Sequence, residues 1–251
     1  MNKPGAVLIT LLLALTCQTA WAGLDKKTIT FAVDPNYPPL EYLDSGGRMV
    51  GFSIDYFQAV CREAGLTAEF INGVIDWDNL SGGLDQQDYD AILSSVTINQ
   101  ERRRKMDFTI PYYVVRQSLL VRPDSSLSSI LELKDHSVGT QAGTTATMTV
   151  EKIPGVISRP YPEIGEAIAA LAKGELDAVV CEDVVGAAFQ ADPAYAGKIK
   201  TAAVINTPGA EELYAVAVRK GNLDVLIALN DGIKAVKAKG LDDELRRKWF
   251  K

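Results

Sequence analysis

Histidine is nearly missing from this sequence, which has a single one, His136, among 251 residues. It lies in the loop-like segment LKDHSVG, and no cluster of histidines accompanies it. Zinc sites in proteins are built from several histidine, cysteine or acidic ligands held close together. The sequence therefore predicts no metal site, and nothing in it indicates a cofactor.

Cysteine is scarce as well: the chain has three cysteines, Cys17, Cys61 and Cys181. The last two lie far apart along the chain, and such a pair in an exported protein can form a disulfide. The interpretation that we favour is that Cys61 and Cys181 are two small, buried, apolar side chains.

Long hydrophobic runs are missing apart from residues 6–15 near the amino terminus. Lys3 precedes this run, and Ala20 and Ala22 follow it in the A-x-A positions of a secretory signal. The run is too short to span a bilayer permanently. We expect cleavage after Ala22 and export to the periplasm; a lipid anchor on Cys17 is the disfavoured alternative.

Basic residues are too few for a nucleic-acid-binding protein. The chain has 26 Lys and Arg against 32 Asp and Glu, a formal net charge of −6. Binding to nucleic acid depends on neutralising phosphates with a basic surface. The composition therefore excludes that class of partner, and the length suits one large or two smaller domains.

Strand-like and helix-like segments alternate along the rest of the chain. Residues 28–34 (TITFAVD) and 67–73 (TAEFING) predict strands. Between them, residues 52–65 predict an amphipathic helix that Gly65 ends. Alternation of this kind favours an α/β fold with a mostly parallel sheet.

Two segments of the sequence echo each other. LDQQDYDAILSS (84–95) and LAKGELDAVVCE (171–182) share a leucine, an Asp-Ala pair and two branched apolar residues. Each segment predicts a helix end, a short turn and a buried strand. The repetition indicates two similar units and therefore two lobes; the alternative is a chance match of twelve residues. Ligands of parallel α/β sheets bind beyond the carboxyl ends of the strands. Those ends are Ser94, Ser95, Cys181 and Glu182.

Two β-rich runs separate these units. Residues 109–123 fall between the units, and residues 212–220 follow the second one. We expect both runs to cross between the lobes. After a signal at residues 1–22, the predicted division is residues 23–115 in lobe 1, 116–213 in lobe 2 and 214–251 returning to lobe 1.

Three arginines and a lysine stand in a row at residues 102–105. Asn99 predicts the N-cap of a helix that starts at Gln100, which places Arg102 in the first turn, where a cation opposes the helix dipole. Two explanations remain open. A carboxylate such as Glu101 or Asp107 pairs with Arg102 at the surface, or Arg102 holds a bound carboxylate by its planar fork of donors.

The sequence resembles the periplasmic amino-acid-binding proteins of ABC transporters, the family 3 solute-binding proteins for polar and basic amino acids. The matching motifs, in order over essentially the whole chain after the signal, are DPNYPPLEY, GFSIDYFQAV, DAILSSVTINQERRRKMDFTIPYY, LKDHSVGTQAGTT, GELDAVV, LYAVAVRKGN and LRRKWF. The resemblance implies the two-lobed type II periplasmic-binding-protein clamp, with two hinge strands and the ligand in the interlobe cleft. It also implies a monomer that delivers its ligand to the membrane subunits of an ABC importer.

The resemblance also implies a role for each candidate site residue. Arg102 would fork onto the α-carboxylate of an amino acid, and Ser95 would accept from its α-ammonium. The remaining residues that match ligand-contacting positions at the strand ends and the GTT turn are Ser94, Thr97, Gly143, Thr144 and Thr145. Residues 103–105 are expected to form a solvated face.

Aromatic and acidic positions complete the implied site. Tyr37 and Trp77 match positions that sandwich the ligand side chain, and Asp34 matches one that contacts its distal group. The acidic residues mildly favour a cationic or amide-bearing amino acid. Trp249 matches the terminal KWF of the family and is expected to serve packing.

One position departs from the family pattern. An aspartate that pairs with the α-ammonium is usual there, whereas this chain has Glu182. Glutamate at that place resembles the cyclohexadienyl dehydratases, periplasmic enzymes of the same fold in which it is a general acid. We favour a binding protein without enzymatic activity; a dehydratase-like enzyme and a periplasmic ligand sensor are the alternatives.

Overall fold

The computed structural model describes residues 26–72, 81–206 and 209–250. The strands, in chain order, are β1 (Thr28–Val33), β2 (Asn36–Tyr37), β3 (Glu41–Leu43), β4 (Met49–Val50), β5 (Thr67–Asn72), β6 (Ala91–Ile92), β7 (Met106–Phe108), β8 (Tyr113–Val115), β9 (Gln117–Val121), β10 (Ser137–Gln141), β11 (Ile157–Tyr161), β12 (Ala178–Glu182), β13 (Lys200–Val204), β14 (Glu212–Tyr214) and β15 (Ala217–Arg219). The helices are α1 (Phe52–Glu63), α2 (Gly82–Gln86), α3 (Gln100–Lys105), α4 (Thr145–Val150), α5 (Ile164–Lys173), α6 (Asp183–Ala191), α7 (Leu223–Ala238) and α8 (Leu241–Trp249), with a short 3-10 helix at Ile130–Glu132.

Two five-stranded sheets form the centres of two lobes. Their strand orders are β5-β1-β6-β15-β7 and β11-β10-β12-β9-β13. In each sheet the first three strands run parallel and the last two join by antiparallel pairing. Because β15 and β9 run opposite to both of their neighbours, four of the five strands in each sheet point the same way, and the prediction of a mostly parallel sheet is confirmed. The single reversed strand of each sheet, β15 or β9, enters it directly from a crossing segment.

The echo in the sequence corresponds to the same local structure in both lobes. Asp90 and Asp177, the echoed aspartates, precede β6 and β12. The Oδ2 atom of Asp90 accepts the backbone N–H of Thr30 at 2.8 Å, and that of Asp177 accepts the backbone N–H of Ser137 at 2.8 Å. Each carboxylate thus ties its strand to the parallel neighbour, as a repeated unit requires.

The two segments that cross between the sheets pair with each other. Strands β8 and β14 form a two-stranded antiparallel ladder, with Val115 opposite Glu212 and Tyr113 opposite Tyr214. One residue, Arg116, separates β8 from β9, and β14 is followed by β15 of the first sheet. The predicted β-rich crossings at 109–123 and 212–220 therefore hold the two sheets side by side.

Aromatic packing joins the end of the chain to the first lobe. The Phe52 ring lies 5.0 Å from that of Phe250 between centroids, and Tyr113 stacks on Phe250 at 5.0 Å. Trp249 donates its indole N–H to Asp55 of α1 at 2.8 Å. The predicted packing role of Trp249 and the terminal KWF segment is therefore confirmed.

Both described cysteines are free and buried, as the favoured interpretation predicted. Among the described residues, no helix is long and apolar enough to cross a membrane. The predicted signal at residues 1–22 and the predicted stacking residue Trp77 lie outside the described residues.

Candidate functional site

Arg102 is the one buried residue of helix α3, which begins at Gln100 as predicted. The side chain of Asn99 caps this helix by accepting the backbone N–H of Arg102 at 2.8 Å. Residues 103–105 are exposed, whereas Arg102 is 7% exposed. The row of four cations therefore divides into one buried guanidinium and a solvated face.

The guanidinium of Arg102 reaches across to the second lobe. Its Nη1 donates to the Thr97 carbonyl at 2.9 Å, and its Nη2 donates to the Gly143 carbonyl at 3.2 Å. Gly143 has a φ of 69°, in the left-handed region that favours glycine. Burial lowers the pKa of Arg102, and the charges of Glu212 and Glu182 partly offset that effect.

The two surface carboxylates considered as partners of Arg102 are engaged by lysines. Glu101 lies 3.9 Å from Lys105, and Asp107 lies 2.6 Å from Lys220. Arg102 itself lines the cleft, where the charges of Glu212 and Glu182 act on it.

Nine of the predicted site residues line one cleft between the lobes. The cleft encloses about 310 Å³, its opening to solvent included. Its lining residues are Asp34, Tyr37, Ser94, Ser95, Thr97, Arg102, Thr144, Thr145 and Glu182. Gly143 adjoins them through its bond to Arg102.

The two serines after β6 differ in their engagement. The Ser94 hydroxyl accepts the backbone N–H of Asp34 at 3.0 Å. The Ser95 hydroxyl is buried and has no hydrogen-bond partner among the described residues. Ser95 lines the cleft, and its hydroxyl lies near the buried carboxyl group of Glu41.

Glu182 ends β12 and is 3% exposed. One carboxylate oxygen accepts the Tyr37 hydroxyl, and the other accepts the Gln117 amide at 3.3 Å. Burial raises the pKa of Glu182, and the charge of Glu212 raises it further. A cation placed against this carboxylate would lower its pKa again and so favour the charged form.

A second group of polar side chains spans the two lobes around Asp34. Asp34 accepts the Asn36 amide at 2.9 Å and the Gln141 amide at 3.4 Å. The same Asn36 amide donates to Glu163 at 3.1 Å. Burial raises the pKa of Glu163, and the charge of Asp34 adds to that effect. Two carboxylates thus lie near each other across the cleft.

The threonines of the site are already engaged within the protein. Thr144 donates its hydroxyl to the Gln141 carbonyl at 2.7 Å. Thr97 and Thr145 both donate to one oxygen of Glu212, at 2.8 and 2.6 Å.

Sequence reasoning missed Glu212 and Gln117, which come from the crossing strands. The Gln117 amide donates to Glu212 at 3.0 Å as well as to Glu182. The signal that could have found them is a polar residue inside a β-rich apolar run, which needs a partner when it is buried.

Comparison with known proteins identifies the family of this chain. Residues 29–251 match the family model described as bacterial extracellular solute-binding proteins, family 3. The chain is 30% identical over 238 residues to the L-arginine-binding protein of Pseudomonas aeruginosa, covering 89% of this chain and 88% of that protein.

Two solved structures are similar over most of the chain. An ancestral arginine-binding protein bound to arginine has a TM-score of 0.83 and 30% identity, covering 90% of this chain and 99% of that one. The ancestral amino acid-binding protein AncCDT-1, a precursor of cyclohexadienyl dehydratase, has a TM-score of 0.79 and 30% identity, covering 90% of this chain and 96% of that one.

Proposed function

This chain belongs to the bacterial extracellular solute-binding proteins, family 3, and we propose that it captures an amino acid with a cationic side chain for an ABC importer. The observation that carries this proposal is the charge pattern of the cleft. Arg102, Glu182 and Asp34 line the cleft, and Glu163 is joined to Asp34 through the Asn36 amide. A zwitterion needs both signs, and the additional carboxylates favour an additional positive charge on the ligand.

The proposed roles follow from those positions. Arg102 binds the α-carboxylate by its fork of donors, while Ser95 and Glu182 receive the α-ammonium. Tyr37 flanks the ligand side chain, together with Trp77 as the family resemblance implies, and Asp34 receives the distal cation. The backbone of the turn at 143–145 adds donors to the carboxylate.

The test is a calorimetric and thermal-shift comparison of arginine with citrulline, which has nearly the same shape and no side-chain charge. Arginine should bind about tenfold or more tightly, because the charge-assisted contacts are lost in citrulline. A ligand that binds only the folded state also raises the melting temperature. Equal affinity for citrulline would contradict a cationic side chain, and no shift with any common amino acid would contradict capture itself.

We also propose that Glu182 binds an ammonium and performs no chemistry. Glu182→Gln should then weaken binding of the amino acid much more than binding of the matching deaminated acid. The alternative is a dehydratase-like enzyme, because the raised pKa of Glu182 also suits a general acid. Turnover of prephenate or arogenate that disappears in Glu182→Gln would establish the enzyme instead.

We also propose that the protein is a monomer in the periplasm. Its lobes are divided between residues 115 and 116 and between residues 213 and 214. The pairing of β8 with β14 at those positions supports the division. Sedimentation of the mature chain, with and without arginine, tests the monomer.

A further inference from the structure

Glu212 stands on a crossing strand and reaches both lobes with one carboxylate. Its Oε2 accepts the hydroxyls of Thr97 and Thr145, and its Oε1 accepts the Gln117 amide. Thr97 follows β6 of the first sheet, and Thr145 begins α4 of the second lobe. Glu212 therefore links the two sides of the cleft.

The family resemblance implies that Thr97 and the turn that contains Thr145 supply hydroxyl and backbone donors to the ligand's carboxylate. A hydroxyl has a single hydrogen, so a threonine that donates to Glu212 does not donate to a second acceptor. Among the nearby charges, that of Glu212 has the largest effect on the pKa of Arg102. The Glu212 carboxylate thus already occupies donors to which the carboxylate of a ligand would bind.

We propose that Glu212 is a built-in competitor for the ligand's carboxylate, which must displace it in order to reach Thr97, Thr145 and Arg102. The proposal rests on the proposed capture of an amino acid. Two carboxylates at one set of donors repel each other, so binding requires the Glu212 side chain to turn away. Glu212 then lowers affinity for ligands that carry a carboxylate.

The neighbouring Glu211 is a matched control. It has the same charge on the same segment, but it is exposed and pairs with Arg116. Glu211→Gln removes the same charge without touching the cleft.

The experiment measures the affinity of Glu212→Gln and Glu211→Gln for arginine and for agmatine, which lacks the carboxylate. Glu212→Gln should bind arginine about tenfold more tightly than the wild type, with a much smaller change for agmatine. Glu211→Gln should match the wild type for both. Unchanged or weaker arginine binding in Glu212→Gln, or an equal gain for agmatine, would overturn the proposal.

A second measurement separates this proposal from the proposed function. If the wild type binds no amino acid, small-angle scattering of Glu212→Ala without added ligand tests whether Glu212 links the two lobes. A larger radius of gyration than the wild type supports the link between the lobes, and an unchanged radius overturns it.

Discussion

Burial separates Arg102 from the cations that follow it. Burying a guanidinium costs solvation free energy, which hydrogen bonds and nearby carboxylates must offset. Arg102 has carbonyl acceptors on both lobes and lies in the field of Glu212. Its neighbours at 103–105 remain in water, where a cation needs no partner.

Arg102→Ala should abolish ligand binding, while Arg104→Ala should leave it nearly unchanged. Losing a forked, charge-assisted contact in a closed cleft should cost about 2–5 kcal/mol of binding free energy. Calorimetry with arginine measures both variants. Equal, small effects would contradict the anchoring role.

Glu41 is a fully buried carboxyl group beneath the site. Burial raises its pKa from the ordinary value of 4.5 to about 8. The hydroxyls of Ser95 and Ser53 lie close enough to lower this pKa somewhat, although neither meets the geometry of a full hydrogen bond to it. The native state therefore holds a proton that the unfolded state releases.

Glu41 should make the free energy of unfolding fall as pH rises from about 4.5 to about 8. The folded state binds more protons than the unfolded state in that window, so stability is lost on going to higher pH. Glu41→Gln should remove a few kcal/mol of this dependence. Urea titrations at several pH values measure it, with the exposed Glu69→Gln as control; an unchanged slope in Glu41→Gln would refute the assignment.

The echoed aspartates show how a short element is held in its sheet. Strand β12 is preceded by Asp177, which accepts both the backbone N–H and the hydroxyl of Ser137 at 2.8 Å. The Ser137 N–H lowers the pKa of Asp177 most, so the carboxylate form is the one bound.

Asp177→Ala should lower the free energy of unfolding by about 1–3 kcal/mol, because the Ser137 N–H loses its acceptor. Asp177→Asn keeps an acceptor oxygen and should lose less. Chemical denaturation compares the two variants, and equal losses would mean that the hydrogen bond is not the cause.

The two lobes are joined by the β8–β14 ladder and by side chains that meet across the cleft. Asn36 contacts Glu163, and Tyr37 contacts Glu182, in each case from the first lobe to the second. The paired strands β8 and β14 carry the chain between the lobes, which is an arrangement that suits hinge closure.

Saturating arginine should reduce the radius of gyration, as the lobes close about the strands near 113–118 and 213–217. The decrease should be larger in Glu212→Ala, because that variant lacks the carboxylate that links Thr97 to Thr145. Small-angle scattering measures both, and no compaction in either protein at saturation would contradict a closing clamp.

Local patterns of residues were enough to predict the secondary-structure elements and most of the candidate site. Helix α3 with its Asn99 cap, helix α1 and the crossing strands follow from patterns of neighbouring residues. The candidate residues of the cleft came from a resemblance that extends along the chain. Such features depend on short-range periodicity and capping, which a sequence displays directly.

The contacts between distant side chains could not be predicted in this way. Glu212 and Gln117 reach the threonines and Glu182 because two segments far apart in the chain pair as β14 and β8. The direction of β9 and β15 was likewise set by the crossing segments rather than by their own residues. Contacts of this kind depend on how distant strands are joined, and no local pattern encodes that.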